Sequence, residues 1–548
     1  MKKMALFLGT TFVAVLFVVS TFVNNSFAAN GGEMNLSSVR IGQPFRIYPS
    51  GITQTETFIT RHPANANILF ASANTINPAN GFVSEGIYVS TNAGATWTGN
   101  DTCTGAPITF HRGDPGIAID KNGRFLLVRL GFSPGLFSHY STNNGLVWSS
   151  QKTIATNDQD RATLASDGIS TSNFYGRSYA AWVRFAFPFP VFFSYTDDGG
   201  ANWSSPAQIN SPTQRGQGAE ISIGSNGRVN ICWAGVINTS PFTEDFVGFA
   251  TSTNGGTSWS VTENAYDANG IQGIFPQKAN IRVNGLPKID TDKTGGARNG
   301  WIYIVTTEKN LAPAGSDPDI ILHRSTNNGQ TWSAGIRVNR DALNNGKLQF
   351  FPAVHIDDGG GVNILYYDDR STTSDSAGVS LSRSTDGGNT WTDYRVSNHN
   401  FKPSPIGGLG QGYQGDNIGL TSIGNTLWPV WMDNSTGLYQ IWTSPIDLQT
   451  LDVELVDERM PGEFELEQNY PNPFNPTTEI RFQISEVSHV TLKVYDVLGR
   501  EVRTLVNEEL KAGSYETTFD ASGLASGLYF YQLNSGRFRQ TKKMLLLR

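Results

Sequence analysis

Ser90-Thr-Asn92-Ala-Gly94-Ala-Thr-Trp97 is the first of six copies of one pattern: a hydroxyl residue, Asn or Asp two on, Gly two further and Trp three after that. The pattern returns at Ser141, Asn143, Gly145 and Trp148, and at Thr196, Asp198, Gly200 and Trp203. It returns again at Ser252, Asn254, Gly256 and Trp259, at Ser325, Asn327, Gly329 and Trp332, and at Ser384, Asp386, Gly388 and Trp391. The tryptophans stand 51, 55, 56, 73 and 59 residues apart. Self-similarity at a fixed interval of this size is the signature of an array of one supersecondary unit. Gly at the fifth position supplies a positive φ without steric cost. The hydroxyl and the Asn or Asp can fold back onto backbone N–H groups, and the Trp buries a large ring beside the turn. Strand-like runs flank the copies, such as Gly86-Ile-Tyr-Val89, Asp319-Ile-Ile-Leu322 and Gly335-Ile-Arg-Val338. Each octapeptide therefore predicts a hairpin tip in a β-sheet.

The pattern resembles the Asp-box, or BNR repeat, of the sialidase superfamily. Asn92, Asn143, Asn254 and Asn327 replace the Asp of the name, and Asp198 and Asp386 keep it; Asn offers the same acceptor oxygen. The resemblance implies a β-propeller with the boxes on its outer rim, away from the substrate pocket. Apolar runs that would be second strands number seven, not six: 68–72, 124–128, 178–182, 229–233, 301–305, 362–366 and 427–431. The seventh unit continues through Gln440-Ile-Trp-Thr443 without a box, and Pro44-Phe-Arg-Ile-Tyr48 reads as its missing outer strand. Pairing the two ends would close the ring and remove its exposed edges. The expected fold is all-β: a seven-bladed β-propeller over 36–450, with six blades, the usual sialidase number, as the alternative.

The two ends read differently. Lys2 and Lys3 precede an apolar run from Ala5 to Val19, and Ser26-Phe-Ala28 offers a cleavage site, which predicts a signal peptide over 1–28. Residues 451–462 are acidic and end in Pro461-Gly462, and read as a linker. Short alternating strands with Gly turns over 463–548 predict a small Ig-like β-sandwich. Tyr470-Pro-Asn-Pro-Phe-Asn-Pro-Thr-Thr478, the Val494–Val502 strand pair and the basic-apolar terminus Lys542–Arg548 closely resemble the type A C-terminal sorting domain of the type IX secretion system. That resemblance implies the type IX machinery as a partner, passage through the outer membrane, and a secreted or cell-surface protein that is not integral to the membrane once the signal is cleaved.

Charged residues make up 16% of the chain, below the roughly 25% of an average soluble protein. A net charge of −7 leaves no basic footprint for nucleic acid. Cys103 and Cys232 are read as one loop thiol and one buried thiol, not a bridge. Asp290-Thr-Asp292-Lys-Thr-Gly295 and Ile356-Asp-Asp-Gly359 look like calcium-loop fragments, but their place between inner and second strands favours hairpin turns. No cofactor and no metal are expected.

In a propeller, the loops entering each inner strand and those joining second to third strands form a cup on the axis. Acids and amides recur before the inner strands: Gln54 and Glu56, Arg112 and Asp114, Asp160 and Arg161, Gln217 and Glu220, Gln414 and Asp416. The second-to-third loops carry Arg129, Arg184, Glu308, Asp368, Arg370 and Asp433. Carboxylates accept paired sugar hydroxyls and Arg grips a carboxylate bidentately. Glycoside hydrolysis needs two carboxyl groups, or a Tyr nucleophile in sialidases. The expected catalytic set is Asp368, Glu308 and Tyr413. The expected substrate-binding set is Arg112, Asp114, Asp160, Arg161, Glu220, Arg370, Asp416 and Asp433. The competing reading gives these side chains to backbone N–H groups and blade bracing. Sialidases open on an Arg-Ile-Pro motif; Phe45-Arg46-Ile47-Tyr48-Pro49 carries an inserted Tyr and falls in an outer strand. The aromatic run Phe185–Phe193 is either a sugar-stacking platform at the cup's lip or packing under a neighbouring blade. The expected function is binding of extracellular glycan or glycoprotein. An active exo-glycosidase and a protein-binding propeller are the alternatives, since fold alone does not fix function.

Overall fold

The structure is a computed structural model that describes residues 39–103, 111–131, 133–407, 412–448, 453–457, 462–521, 524–536 and 538–547. The proposed signal peptide lies outside the described residues. Two compact units divide the chain, one spanning Arg40–Asp447 and the other taking it from Leu448 on.

The first unit is a propeller. Six four-stranded antiparallel sheets follow in chain order, with inner strands Thr53–Arg61, Gly116–Ile119, Thr163–Ser166, Arg215–Ile223, Lys288–Thr291 and Gln349–Ile356. A seventh sheet has Gly419–Ile423 as its inner strand, then Thr426–Asp433 and Gln440–Thr443. Its outer strand is Phe45–Arg46, with Phe45 opposite Thr443 and Arg46 opposite Trp442. The N-terminal segment thus completes the sheet made by the end of the unit. Arg40–Ile41 adds a further rung on Ile446–Asp447, which itself pairs with Thr426 and Leu427. Each inner strand lies against the inner strands of the sheets before and after it, and Gly419–Ile423 lies against Thr53–Arg61. The sheets form a closed ring, and we number them as blades 1 to 7.

Second strands are sandwiched between neighbouring blades. Every residue of Ser178–Val183, Val229–Val236 and Val362–Asp368 is buried. Burial on both faces explains why these strands read as continuous apolar runs instead of alternating ones.

The octapeptides lock one blade to the one before it. In all six, the Gly N–H donates to the hydroxyl oxygen four residues back, at 2.7 to 3.0 Å. The six glycines hold φ between +78° and +92°. A Cβ on Gly94 would meet the Trp428 ring of blade 7 at 2.3 Å, and one on Gly256 the Phe193 ring of blade 3 at 2.3 Å. The tryptophans pack the same way. Trp259 meets Phe193 edge-on at 5.0 Å and Trp332 meets Phe249 at 5.2 Å. Glycine is therefore required twice over, by its backbone conformation and by the neighbouring blade.

The 73-residue interval between Trp259 and Trp332 has a structural cause. A two-stranded hairpin, Gly273–Phe275 with Ile281–Val283, is inserted between blades 4 and 5. Its Lys278 is fully buried and donates to Asp369 at 2.7 Å and to the carbonyl oxygens of Ser374 and Ser376 in blade 6. The hairpin thus reaches past blade 5.

The second unit is a sandwich of two four-stranded sheets. Its strands alternate strictly: in Thr477–Ile484, residues 478, 480, 482 and 484 are buried. Leu466, Ile480, Phe482, Val490, Leu492, Val494, Tyr531 and Leu533 are among its core side chains. Residues 453–457, expected within a linker, form a strand paired with Gly513–Asp520. The acidic flanks hide the Val and Leu residues in Val453-Glu-Leu-Val-Asp457, which favour a strand.

Cys103 and Cys232 are unbridged, and both are buried, so the expected loop thiol is not an exposed one. The calcium-like fragments are turns. Asp357 Oδ1 accepts the N–H groups of Gly359 and Gly361, and Asp292 Oδ1 accepts that of Thr294.

Candidate functional site

The starts of the inner strands converge on the axis, and the backbone there is irregular. Inner strands of blades 1, 4 and 6 lose register between Thr55 and Phe58, Gln217 and Glu220, and Phe350 and Ala353. Glu56, Asp114 and Phe351 hold φ of +54°, +56° and +52°, and Gly218 and Gly415 hold +63° and +110°. A left-handed backbone costs a non-glycine residue roughly 1–2 kcal/mol, and bulges of this kind re-aim side chains beside functional sites.

Around the axis these starts present Glu56, Asp114, Asp160 with Arg161, Glu220, Lys288 and Asp416 with Asn417, one group from each of six blades. Glu220 Oε1 accepts from Arg161 at 2.8 Å and from Lys288 at 2.6 Å. Lys288 also donates to Asn417 Oδ1 at 2.5 Å, and Asn417 donates to Asp416 at 2.6 Å. Asn284, at the foot of the inserted hairpin, donates to Asp416 at 2.6 Å and to the Tyr413 hydroxyl at 3.3 Å. The Arg282 guanidinium lies 4.7 Å from the Tyr413 ring. On the other side, Asn74 donates to Glu56 at 2.8 Å and to Asp114 at 3.0 Å. A small pocket lined by Asn284, Leu286, Lys288, Phe351, Pro352, Asp416 and Asn417 opens into this mouth.

The mouth holds five carboxyl groups and two cations, and its electrostatics divide it. Burial pushes Glu56 well above its ordinary value, and the charges of Asp416 and Asp114 push it further. Burial raises Asp114 to about 6 against a lowering hydrogen bond from Asn74, and raises Asp160. These three are poor hosts for three negative charges at once. Burial alone would raise Glu220 too, but Lys288 and Arg161 together hold it below its ordinary value. Burial lowers Lys288, and Arg161 beside it adds to that against the pull of Glu220. One side of the mouth is thus protonatable acid, and the other a paired cation–carboxylate–cation cluster.

The structure brings together Asp114, Asp160, Arg161, Glu220 and Asp416, with Tyr413 at their edge. Arg112 is exposed. Four other residues do not reach the mouth, which corrects the expectation that the second-to-third loops converge with the inner strands. Asp368 is buried inside blade 6, where it binds Arg370 at 2.6 Å and accepts from Gln349 and Ser380. Arg370 itself turns outward to Asp393 of the outer strand and to Tyr366. Asp433 is buried and accepts from Trp431 Nε1 at 3.0 Å and from the Ser435 hydroxyl at 2.5 Å, with His399 Nε2 at 3.0 Å. Glu308 is buried at the blade 4–5 junction, taking the Thr306 hydroxyl at 2.5 Å and the Asn269 N–H at 3.4 Å. Each satisfies polar groups of its own blade or its neighbour, the bracing role that competed with the functional one. Burial raises the Tyr413 phenol well above its ordinary value, and Asp416 adds to that, so it is a hydroxyl donor and not a ready nucleophile. Among the described residues, no group of three or more His, Cys, Asp and Glu side chains could hold a metal ion.

Sequence reasoning missed Lys288, Asn74, Asn284 and Asn417. Their signal was position at a strand start or end rather than charge: Lys288 occupies in blade 5 the place that acids hold in other blades.

Glu308 carries a prediction about stability. Burial raises its carboxyl from 4.5 to about 7. A raised acid binds protons more tightly in the folded chain, so its contribution is present below 4.5 and is lost as pH rises through about 7. Glu308→Gln is expected to flatten the fall in propeller stability across that window. Urea titrations at stepped pH check this, and an unchanged slope would contradict it.

Residues 468–547 match the secretion system C-terminal sorting domain. The chain is therefore a type IX secretion cargo, exported to the cell surface or the extracellular space. Among the described residues no helix is long and apolar enough to cross a membrane. No curated protein sequence matches the chain. Among solved structures, it is similar to a protein of unknown function from Dyadobacter fermentans, at 13% identity and a TM-score of 0.43, covering 75% of this chain and 99% of that one. It is similar to an ulvan lyase of polysaccharide lyase family PL25, at 12% identity and a TM-score of 0.47, covering 72% and 94%. It is also similar to the NanB sialidase of Streptococcus pneumoniae, at 10% identity and a TM-score of 0.39, covering 61% and 68%. At these identities none of them assigns an activity to this chain.

Proposed function

We propose that the propeller is an exported, sialidase-like glycan-binding domain, that its six octapeptides are Asp-boxes, and that its ligand sits in the axial mouth. The signal peptide over 1–28 and the sorting domain over 463–548 deliver it, and the propeller over 36–450 does the binding. The observation that carries this reading is the convergence of Glu56, Asp114, Asp160, Arg161, Glu220, Lys288 and Asp416 from six blades. Such a ring of acceptors and donors suits a hydroxyl-rich ligand.

The balance of charge supports a neutral glycan. Five carboxyl groups face two cations, and both cations already bind Glu220. A sialic acid carboxylate would compete with Glu220 for Arg161 and Lys288 and would face the other acids of the ring. A glycan array probed with the full chain is expected to retain neutral glycans and to lose them in Asp416→Asn. Retention of sialosides alone, or no retention, would overturn the reading.

A second reading, neutral exo-glycosidase activity, has one observation behind it. The Glu56–Asp114 pair joined by Asn74 places a proton-holding acid beside a carboxylate, so the mouth contains a group able to donate a proton. It moves the proposed chemistry from Asp368, Glu308 and Tyr413 to these two residues. Turnover of chromogenic neutral glycosides, lost in Glu56→Gln, would establish it; no turnover would leave the protein a binder.

A further inference from the structure

The aromatic run Phe185–Phe193 has two fates in the fold. Phe193 is buried in blade 3 and belongs to its core. Phe185 and Phe187, on the turn before it, are 52% and 79% exposed. That turn joins the second and third strands of blade 3 and is tied by backbone hydrogen bonds to the segments that build the mouth. Phe185 N–H donates to Asp158 O at 3.0 Å, and Asp160 N–H to Val183 O at 2.9 Å, two residues and none from the Asp160 position. Gly216 N–H donates to Phe189 O at 3.1 Å, at the start of the strand that carries Glu220. The exposed rings therefore border the mouth on its blade 3–4 side.

A second aromatic loop joins them. Phe242, between the second and third strands of blade 4, is 37% exposed. The Arg215 guanidinium lies between the two loops, 4.1 Å from the Phe189 ring and 4.5 Å from the Phe242 ring. Phe185 meets Phe189 edge-on at 5.3 Å. Phe189 and Phe242 hold φ of +62° and +64°, a conformation bulky residues adopt rarely. Arg215 thus braces Phe189 and Phe242, Phe189 braces Phe185, and Phe187 stands exposed on the same turn.

We infer that Phe185, Phe187, Phe242 and Arg215 form a subsite where a neutral polysaccharide bound in the mouth continues outward, its sugar rings stacking on the aromatic faces. The inference rests on the reading of the mouth given above. The chemistry fits a sugar chain: each pyranose offers an apolar C–H face for the rings and equatorial hydroxyls for the guanidinium. Three exposed rings are too few for a stable protein interface, which takes roughly 20–30 residues a side. The platform is also continuous with the hydroxyl-binding ring instead of standing apart from it.

The test is calorimetric titration of the full chain with neutral cello-, xylo-, manno- and arabino-oligosaccharide ladders, from monosaccharide upward. In the unaltered chain, affinity for the accepted ladder is expected to rise with length. In Phe185→Ala/Phe187→Ala, that rise is expected to shrink by about tenfold, the order of two lost stacking contacts, while the shortest ligands bind unchanged. Both rings are exposed, so the variant's thermal midpoint serves as a folding check. An equal rise with length in both proteins would overturn the subsite while sparing the mouth. If no ladder binds the unaltered chain, the mouth reading falls and the subsite with it.

Discussion

Gly94→Ala is expected to destabilise the propeller by about 3 kcal/mol. Two costs combine. Gly94 holds φ of +88°, where alanine loses roughly 1–2 kcal/mol. Its new Cβ would also lie 2.3 Å from the Trp428 ring, a side chain 5% exposed in the second strand of blade 7. A buried indole with no room to retreat makes overpacking cost roughly 1–3 kcal/mol more. Gly81→Ala is the control: φ is +69°, but nothing lies within 4 Å of its Cβ position. It should cost about 1 kcal/mol. Urea unfolding followed by tryptophan fluorescence should show the Gly94 midpoint moving well beyond the Gly81 one at unchanged slope. Equal shifts would mean that the octapeptides shape their own turns but do not fasten blades.

Glu220→Gln is expected to cost more, about 3–5 kcal/mol at neutral pH. Glu220 is the one carboxylate shared by Arg161 and Lys288, whose side chains are 10% and 13% exposed. Removing its charge leaves two neighbouring cations out of water, with only the weaker pull of Asp416 shared between them. The sign of the pH dependence follows. Lys288 is already lowered by burial, and the loss of Glu220 lowers it further. A lysine depressed in the folded chain gains stability as pH rises between its folded and unfolded values, because the unfolded chain then binds more protons. The variant should therefore recover part of its deficit toward pH 10. A deficit that stays constant with pH would show that the cluster is held by packing instead of charge.

The ring and its fastening were legible in the sequence because they rest on short-range rules. Gly at a positive φ, a hydroxyl four residues before it and a plug of Trp recur in the same order, whatever surrounds them. The closing strand at Phe45 and Arg46 was legible because its length and apolar pattern match the outer strands. The mouth was half legible. Acids before the inner strands converge because those strands are nearest the axis, so Asp114, Asp160, Glu220 and Asp416 meet. Asp368 and Asp433 stand at the same end of the second strands, yet lie one strand farther out. There they meet the third strand: Asp368 accepts from Ser380, and Asp433 stands opposite Gln440. Sequence tells which end of a strand a residue occupies, but not how far that strand lies from the axis. Lys288 escaped notice because an inserted hairpin precedes its blade and its charge is opposite to that of the residues at equivalent places.

Hydrogen exchange of the full chain, with and without a neutral oligosaccharide retained on the array, tests the central claim most directly. The ligand is expected to slow exchange in residues 55–58, 113–116, 158–161, 216–220, 284–288 and 412–417, the segments that carry the mouth. Protection centred on the octapeptides of the outer rim, or on none of these segments, would contradict it.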